Sequence, residues 1–132
     1  PGAISVEGVG KGGGTAAAFK WIVNAPLVVY WGDMDADGLE ILDGFRAADV
    51  PARSILMDVD AYKEWERFGT DLDPKGRPLT SRDSRRIPYL TAGERALYER
   101  LIAPAWTGPG RVEQERVPLR VALGHVQRLT QG

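Results

Sequence analysis

The stretch that decides the fold is LVVYWGDMDADG, residues 27–38. Its first half is an apolar run rich in β-branched and aromatic side chains, which is typical of a buried strand. Its second half places carboxylates at alternate positions, Asp33, Asp35 and Asp37. Because alternate residues of an extended chain share a face, we expect Asp33 and Asp35 to point the same way. Adjacent carboxylates repel unless a proton or cation separates them, so the stretch predicts a site for a hard divalent cation such as Mg²⁺.

The composition excludes several classes of site. The chain has 132 residues, 43% of them hydrophobic and 27% charged, which is typical of a single folded domain over residues 1–132. It has no cysteine, which excludes disulfides, thiolate metal sites and a cysteine nucleophile. The single histidine, His125, argues against a histidine-rich metal site or a Ser-His-Asp triad. No apolar run has the length of a membrane span, and we expect a cytoplasmic protein without a membrane segment.

The pattern after the acidic stretch alternates helix and strand. Apolar residues at helical spacing predict a helix over 39–48, and residues 53–58 predict a strand that again ends in a carboxylate, Asp58. Asp37 is the expected N-cap of the first helix, and Asp58 or Asp60 that of the next. The predicted fold class is therefore α/β, a small parallel sheet flanked by helices, with acids at the carboxyl ends of two strands on one edge.

The chain begins with a predicted strand over 2–7, a glycine-rich loop over 8–14 and a helix over 15–23, which together with the acidic stretch suggest a βαβ unit. The loop is not a P-loop, because Lys11 precedes the glycines that it should follow. Its glycines also fit a dinucleotide fingerprint literally. The next strand, however, ends in a carboxylate cluster rather than in one ribose-binding acid, so a tight strand-to-helix turn is the favoured interpretation.

Charge is distributed unevenly along the chain. Residues 33–73 contain 12 acidic and 4 basic side chains, whereas residues 75–100 contain 7 basic and 3 acidic ones. Such polarity is expected where a metal site adjoins a phosphate-binding surface, although sorting of solvated surface charges explains it equally well. Residues 69–88 predict a long loop, Thr91 and Glu94 predict a capping box, and residues 118–129 predict a final helix.

Two other families share parts of the acidic motif. A calcium-binding EF-hand loop requires an acid at its twelfth position, which is Gly44 here, and the loop follows a strand pattern instead of a helix. Phosphatases of the haloacid dehalogenase type resemble the chain in running a hydrophobic strand into Asp-x-Asp with Mg²⁺. They usually carry Thr or Val where this chain has Asp37. The phosphatase therefore stays an alternative, and the EF-hand is rejected.

Several ordered blocks resemble one family, the C-terminal domain of JetD, the nuclease subunit of the Wadjet plasmid-defence system. The matching blocks are residues 30–42, 54–58, 90–94 and 111–118. That domain is of Toprim type and is similar to the Toprim domain of the topoisomerase VI A subunit. The resemblance covers nearly the whole chain. It implies a small Toprim-like, Rossmann-like sheet and a DNA endonuclease that depends on Mg²⁺ or Mn²⁺.

The resemblance also implies roles for individual residues. A Toprim site uses an Asp-x-Asp pair, matched by Asp33 and Asp35, and a glutamate from the first strand. Glu7 is the candidate for that catalytic glutamate in this chain, but its spacing favours a fragment whose first strand and glutamate lie upstream. The candidate supporting acids are Asp37, Asp58, Glu113 and Glu115, and the first two are also candidate metal ligands. The candidate phosphate contacts in the long loop are Arg82, Arg85 and Arg86.

The same resemblance names partners. They are double-stranded plasmid DNA, the SMC-like Wadjet subunits and, in a homodimer, a second copy of the chain, with no membrane. A non-catalytic Toprim-like module that binds DNA or protein is the alternative from a different class, because a domain without its glutamate is inactive alone.

Overall fold

Two short parallel strands form the sheet that carries the acidic stretch. The first, β1, is Val28–Tyr30, and the second, β2, is Ala52–Ser54; Val29 pairs with Arg53 in their register. The structure is a computed structural model that describes residues 20–80, 85–103, 106 and 108–131. A helix connects the two strands, as parallel pairing requires. The α/β class is therefore confirmed, and the architecture is consistent with a small Toprim-like fold.

The helices of the described residues flank this sheet. In chain order they are α1 (Lys20–Val23), α2 (Ala36–Ala47), α3 (Val59–Trp65), α4 (Ala92–Ile102) and α5 (Leu119–Gln131). Single 3-10 turns follow α3 at Glu66–Phe68 and precede α5 at Gln114–Arg116. None of the helices within the described ranges combines the length and apolarity needed to cross a membrane.

The helix caps confirm two predictions and correct a third. Thr91 and Glu94 form the predicted capping box of α4, and Asp58 caps α3 by accepting from the Ala61 amide. The N-cap of α2, however, is Asp35, whereas Asp37 was the expected cap. The extended backbone of Asp35 ends the strand-like segment two residues earlier than expected, and its Oδ1 atom accepts from the Gly38 amide.

The strand predicted over 53–58 is shorter than expected. Only Ala52–Ser54 is strand, because Leu56 has a φ of 57°, a left-handed conformation that cannot continue a strand. Ile55, Leu56 and Met57 are nevertheless buried, which is why their apolar run looked like strand. The strand predicted at the start of the acidic stretch is likewise reduced to the three residues of β1.

The core lies among the helices, and the side chains of β1 pack against it. Its most deeply buried side chains include Leu39 and Leu42 from α2, Tyr62 from α3, and Leu97 and Tyr98 from α4. This packing fixes the position at which α2 begins, and therefore the position of the acidic stretch that precedes it.

A buried ion pair joins α2 to α4. Arg46 donates to both carboxylate oxygens of Glu94, at 2.5 and 3.1 Å, and to the Ala52 carbonyl of β2. Ser54 also donates to Glu94. Burial acts to raise the pKa of Glu94, but hydrogen bonds from Arg46, Ser54 and the Thr91 amide lower it on balance. The network links β2 to α2 and α4.

Some predictions concern residues outside the described ranges. They are the strand over 2–7 with Glu7, the glycine-rich loop, the first part of the helix predicted over 15–23, and Arg82. The last four residues of that helix, Lys20–Val23, are helical.

Candidate metal centre

The acidic stretch lies against a distant segment of the chain. Met34 and Val112 form an antiparallel bridge, with N–H to carbonyl distances of 2.9 Å from Met34 and 3.1 Å from Val112. Both side chains are buried. Since neighbours of a bridged residue point to the opposite side of the chain, Asp33 and Asp35 share the face on which Arg111 and Glu113 lie.

Asp33 is held at both of its carboxylate oxygens. Its Oδ1 accepts from the Gln114 amide at 2.7 Å, at the start of the 3-10 turn. Its Oδ2 accepts from Arg111 Nη2 at 2.8 Å and from Arg111 Nε at 3.3 Å. The Asp33 side chain is therefore oriented by a backbone donor on one side and by a guanidinium on the other.

Asp35 has the same division between its two oxygens. Its Oδ1 accepts from the Gly38 amide at 2.6 Å, and its Oδ2 lies 3.3 Å from Arg111 Nε. Burial raises the pKa of this carboxyl to about 6, and the charges of Asp33 and Asp37 add to the rise. The Gly38 amide and Arg111 oppose it. The ionised form of Asp35 is therefore disfavoured mainly because burial removes it from water.

Arg111 is the cation shared by the two aspartates. Its side chain is only 6% exposed, and its Nη1 donates to the Leu72 carbonyl at 3.2 Å. Although burial acts to lower the pKa of Arg111, the hydrogen bond to Asp33 and the nearby carboxylates raise it. Glu113 extends the cluster, with its Oε2 3.8 Å from Arg111 Nη2.

Gly38 explains the glycine of the motif. A Cβ atom at this position would lie 2.2 Å from the Asp33 carbonyl oxygen, so a side chain is excluded. The Tyr30 hydroxyl donates to the Gly38 carbonyl at 2.9 Å. Burial, followed by the charges of Asp35 and Asp33, raises the pKa of Tyr30, which keeps the hydroxyl protonated and able to donate. The start of α2 is thus packed directly onto the aspartate turn.

The donor chemistry of the pair fits a divalent cation. Each aspartate uses Oδ1 for a backbone amide and directs Oδ2 to one point, since both Oδ2 atoms are 3.3 Å from the same Arg111 nitrogen. Mg²⁺ is commonly bound by one or two carboxylates together with water and substrate phosphates. Within the described ranges, however, no three Asp, Glu or His side chains are grouped as a complete metal site. The described residues therefore bring together two carboxylates that could hold a divalent cation, and no third.

The other predicted site residues occupy different positions. Asp37 is exposed in the first turn of α2, and its charge acts on Asp35. Asp58 caps α3 and lies beyond the turn that follows β2, so the prediction that it ends a strand is wrong. Glu115 is exposed in the 3-10 turn. Arg85 is exposed and lies 3.5 Å from Glu40 of α2, and Arg86 is exposed.

A cavity of about 210 Å³ opens beside β2. Its acidic lining residues are Asp58, the N-cap of α3, and Asp60 and Glu64 of α3, and the chain's single histidine, His125 of α5, also lines it. Leu56, whose φ is positive, lines it. Asp58 therefore faces this cavity and is part of a feature separate from the Arg111 cluster.

The sequence-based prediction missed Arg111. It is 78 positions from Asp33, and a single arginine after a glycine has no local pattern that marks it as buried. The one available signal was its position at the head of the block over residues 111–118. The prediction that Asp33 and Asp35 face the same way is confirmed, since both contact the same guanidinium.

Comparison with known proteins places the chain in a family. None of the curated proteins compared with the chain matches it. The family described as Wadjet protein JetD, C-terminal, matches residues 1–126, which include β1, the aspartate turn and Arg111. This match covers nearly all of the chain, and membership ties the chain to Wadjet plasmid defence. The chain belongs to the JetD C-terminal family of Wadjet proteins.

Proposed function

We propose that this chain is the Toprim-type endonuclease domain of a JetD-like protein and cleaves plasmid DNA with the help of Mg²⁺ or Mn²⁺. The observation that carries the proposal is the pair of Oδ2 atoms from Asp33 and Asp35, which converge on one cation position at the carboxyl end of β1. This edge of a parallel sheet is where open α/β folds bind their ligands.

The residues that hold the metal are Asp33 and Asp35. A bound divalent ion supplies Lewis acidity, which polarises the scissile phosphate and stabilises charge on the attacking or leaving oxygen. The backbone amides of Gln114 and Gly38 orient the two carboxylates through their Oδ1 atoms, so that both Oδ2 atoms point to the side of Arg111. Preorientation of this kind lowers the cost of assembling a site, because few side-chain rotations remain to be fixed.

The remaining roles follow from position. Glu7 is our candidate for the glutamate that the family places beside the aspartate pair. Glu113 is a partly exposed carboxylate next to Arg111 and is a supporting acid. Arg85 and Arg86 are exposed at the end of the long loop and are candidates for contacts with DNA phosphates. The SMC-like Wadjet subunits are the proposed protein partners, and a homodimer is the proposed assembly.

The proposal is tested by nicking of supercoiled plasmid by the full-length protein in Mn²⁺ or Mg²⁺. We expect Asp33→Ala and Asp35→Ala to abolish the activity. Glu99→Gln is the matched control, because Glu99 is an exposed acid on α4 and its loss leaves the cluster unchanged. Nicking that survives both aspartate variants would refute the assigned site.

The alternatives predict different outcomes of the same experiment. Hydrolysis of a small phosphomonoester with no effect on plasmid would favour the haloacid dehalogenase type of phosphatase. Metal binding without either activity would favour a non-catalytic Toprim-like module. That module is a serious second candidate, because Arg111 already provides a cation for the aspartate pair without any metal.

A further inference from the structure

Arg111 is held by backbone contacts as well as by carboxylates. Its carbonyl accepts from the Thr70 amide at 2.8 Å, and its neighbour Val112 is bridged to Met34 in both directions. Its guanidinium is buried and is anchored at Nη1 by the Leu72 carbonyl. The main chain of Arg111 is therefore placed by backbone contacts, and its guanidinium has one anchor, the Leu72 carbonyl, besides the carboxylates.

The charges around Arg111 do not balance. The guanidinium carries one positive charge, and Asp33, Asp35 and Glu113 lie within 2.8, 3.3 and 3.8 Å of it. Arginine stays protonated in proteins, so it cannot relieve the imbalance by losing a proton. The two aspartates alone carry more negative charge than the guanidinium neutralises, and this excess favours a further cation beside them.

A second cation would need the atoms that Arg111 already uses. Each Oδ1 accepts from a backbone amide, whereas each Oδ2 faces the Arg111 guanidinium, so a metal ion that joins the two carboxylates on that side meets Arg111 at the Oδ2 atoms. Those same Oδ2 atoms accept the Nε and Nη2 contacts of Arg111. A divalent ion bound to them would lie close to the guanidinium, and two cations at such a distance repel each other.

We infer that Arg111 is the resident counter-cation of the aspartate pair, a positioning residue that holds both Oδ2 atoms in the metal-free protein and gives them up when a divalent ion binds. The Nη1 contact with Leu72 provides an anchor that does not depend on the aspartates. The inference rests on the metal site of the proposed function but not on DNA cleavage.

The test compares Arg111→Gln with the wild-type chain by calorimetric titration of Mn²⁺ and by thermal melting in EDTA and in Mn²⁺. Without the guanidinium the carboxylates repel one another, so we expect the melting temperature in EDTA to fall by more than about 5 °C. We expect the affinity for Mn²⁺ to rise by about tenfold or more, because the competitor is gone. The stabilisation by Mn²⁺ should accordingly exceed that of the wild type.

Two further variants make the result specific. Arg111→Lys keeps the charge and should bind Mn²⁺ much as the wild type does. Arg116→Gln removes an exposed arginine from the same segment and should change neither measurement. If Arg111→Gln is unfolded in EDTA, folding that Mn²⁺ restores supports the inference, and an unfolded protein in both conditions overturns it.

Weaker Mn²⁺ binding by Arg111→Gln would overturn the inference, because Arg111 would then help to bind the metal. Unchanged binding would also overturn it, because Arg111 would then have no effect on the metal. Failure of the proposed function looks different. A wild-type chain that binds no Mn²⁺ removes the metal site itself. A chain that shows the expected binding pattern but never nicks plasmid leaves the inference standing and refutes the nuclease.

Discussion

Asp35→Asn should make the metal-free protein more stable at neutral pH. Asn is as good an N-cap as Asp, so the bond from the Gly38 amide is retained. What the substitution removes is an ionised carboxylate that is only 13% exposed and lies beside two other acids. The site is thus expected to contain a residue that opposes folding, which is common where function requires an unfavourable charge.

The magnitude follows from the pKa of Asp35. Its ordinary value is 3.8 and its value in the folded protein is about 6. Between these values the folded state binds more protons than the unfolded state, so the contribution of Asp35 to stability falls as pH rises and is fully unfavourable above about pH 6. At 1.36 kcal/mol per pKa unit, the ionised group costs about 3 kcal/mol. That figure is an upper bound for the gain, because the Asn amide nitrogen would face Arg111 Nε.

The assay is urea unfolding in EDTA at a series of pH values. We expect the advantage of Asp35→Asn over the wild type to grow by about 2 kcal/mol between pH 4.5 and pH 7.5. Asp58→Asn is the matched control, because Asp58 caps α3 in the same way but is exposed. A variant that is less stable than the wild type at pH 7.5, or whose advantage does not change with pH, would refute the reasoning.

The remaining predictions concern the frame around the site. Arg46→Met should lower the free energy of unfolding at pH 7 by about 3–5 kcal/mol, because it leaves Glu94 buried without its partner. This loss of unfolding free energy should shrink towards pH 4, because a carboxylate with a lowered pKa contributes its full stabilisation only above the ordinary pKa of glutamate. A loss no larger than that of the exposed Arg120→Met would contradict the network. Gly38→Ala should cost at least about 1–3 kcal/mol, since its Cβ would meet the Asp33 carbonyl. Gly44→Ala in the same helix should raise the free energy of unfolding by about 0.5–1 kcal/mol, because no atom lies near the added Cβ. Equal effects of the two substitutions in denaturant unfolding would contradict the packing around Gly38.

Local patterns carried most of what the sequence could predict. The alternation of apolar strand and helical face predicted the α/β class, the capping box at Thr91 identified the start of α4, and the spacing of Asp33 and Asp35 predicted a shared face. Each of these depends on neighbours within a few positions. The same local logic failed at Leu56, because burial alone does not distinguish a strand from a left-handed turn.

The non-local part of the site could not be predicted in this way. Arg111 reaches the aspartates only because Met34 pairs with Val112, a contact between segments that have no sequence pattern in common. The choice of Asp35 over Asp37 as the N-cap of α2 is decided by where the chain turns against that bridge. Both outcomes depend on tertiary contacts, which override the local preference of three similar acids.

The measurement that tests the central claim most directly is calorimetric titration of Mn²⁺ or Mg²⁺ into the wild-type chain and into the double variant Asp33→Asn with Asp35→Asn. Both substitutions keep the size of the side chains and the backbone contacts of Oδ1, and they remove the charge of both Oδ2 atoms. The account predicts one divalent ion bound per wild-type chain and no measurable binding to the double variant. An unchanged affinity in the double variant would contradict it, because the ion would then be bound elsewhere.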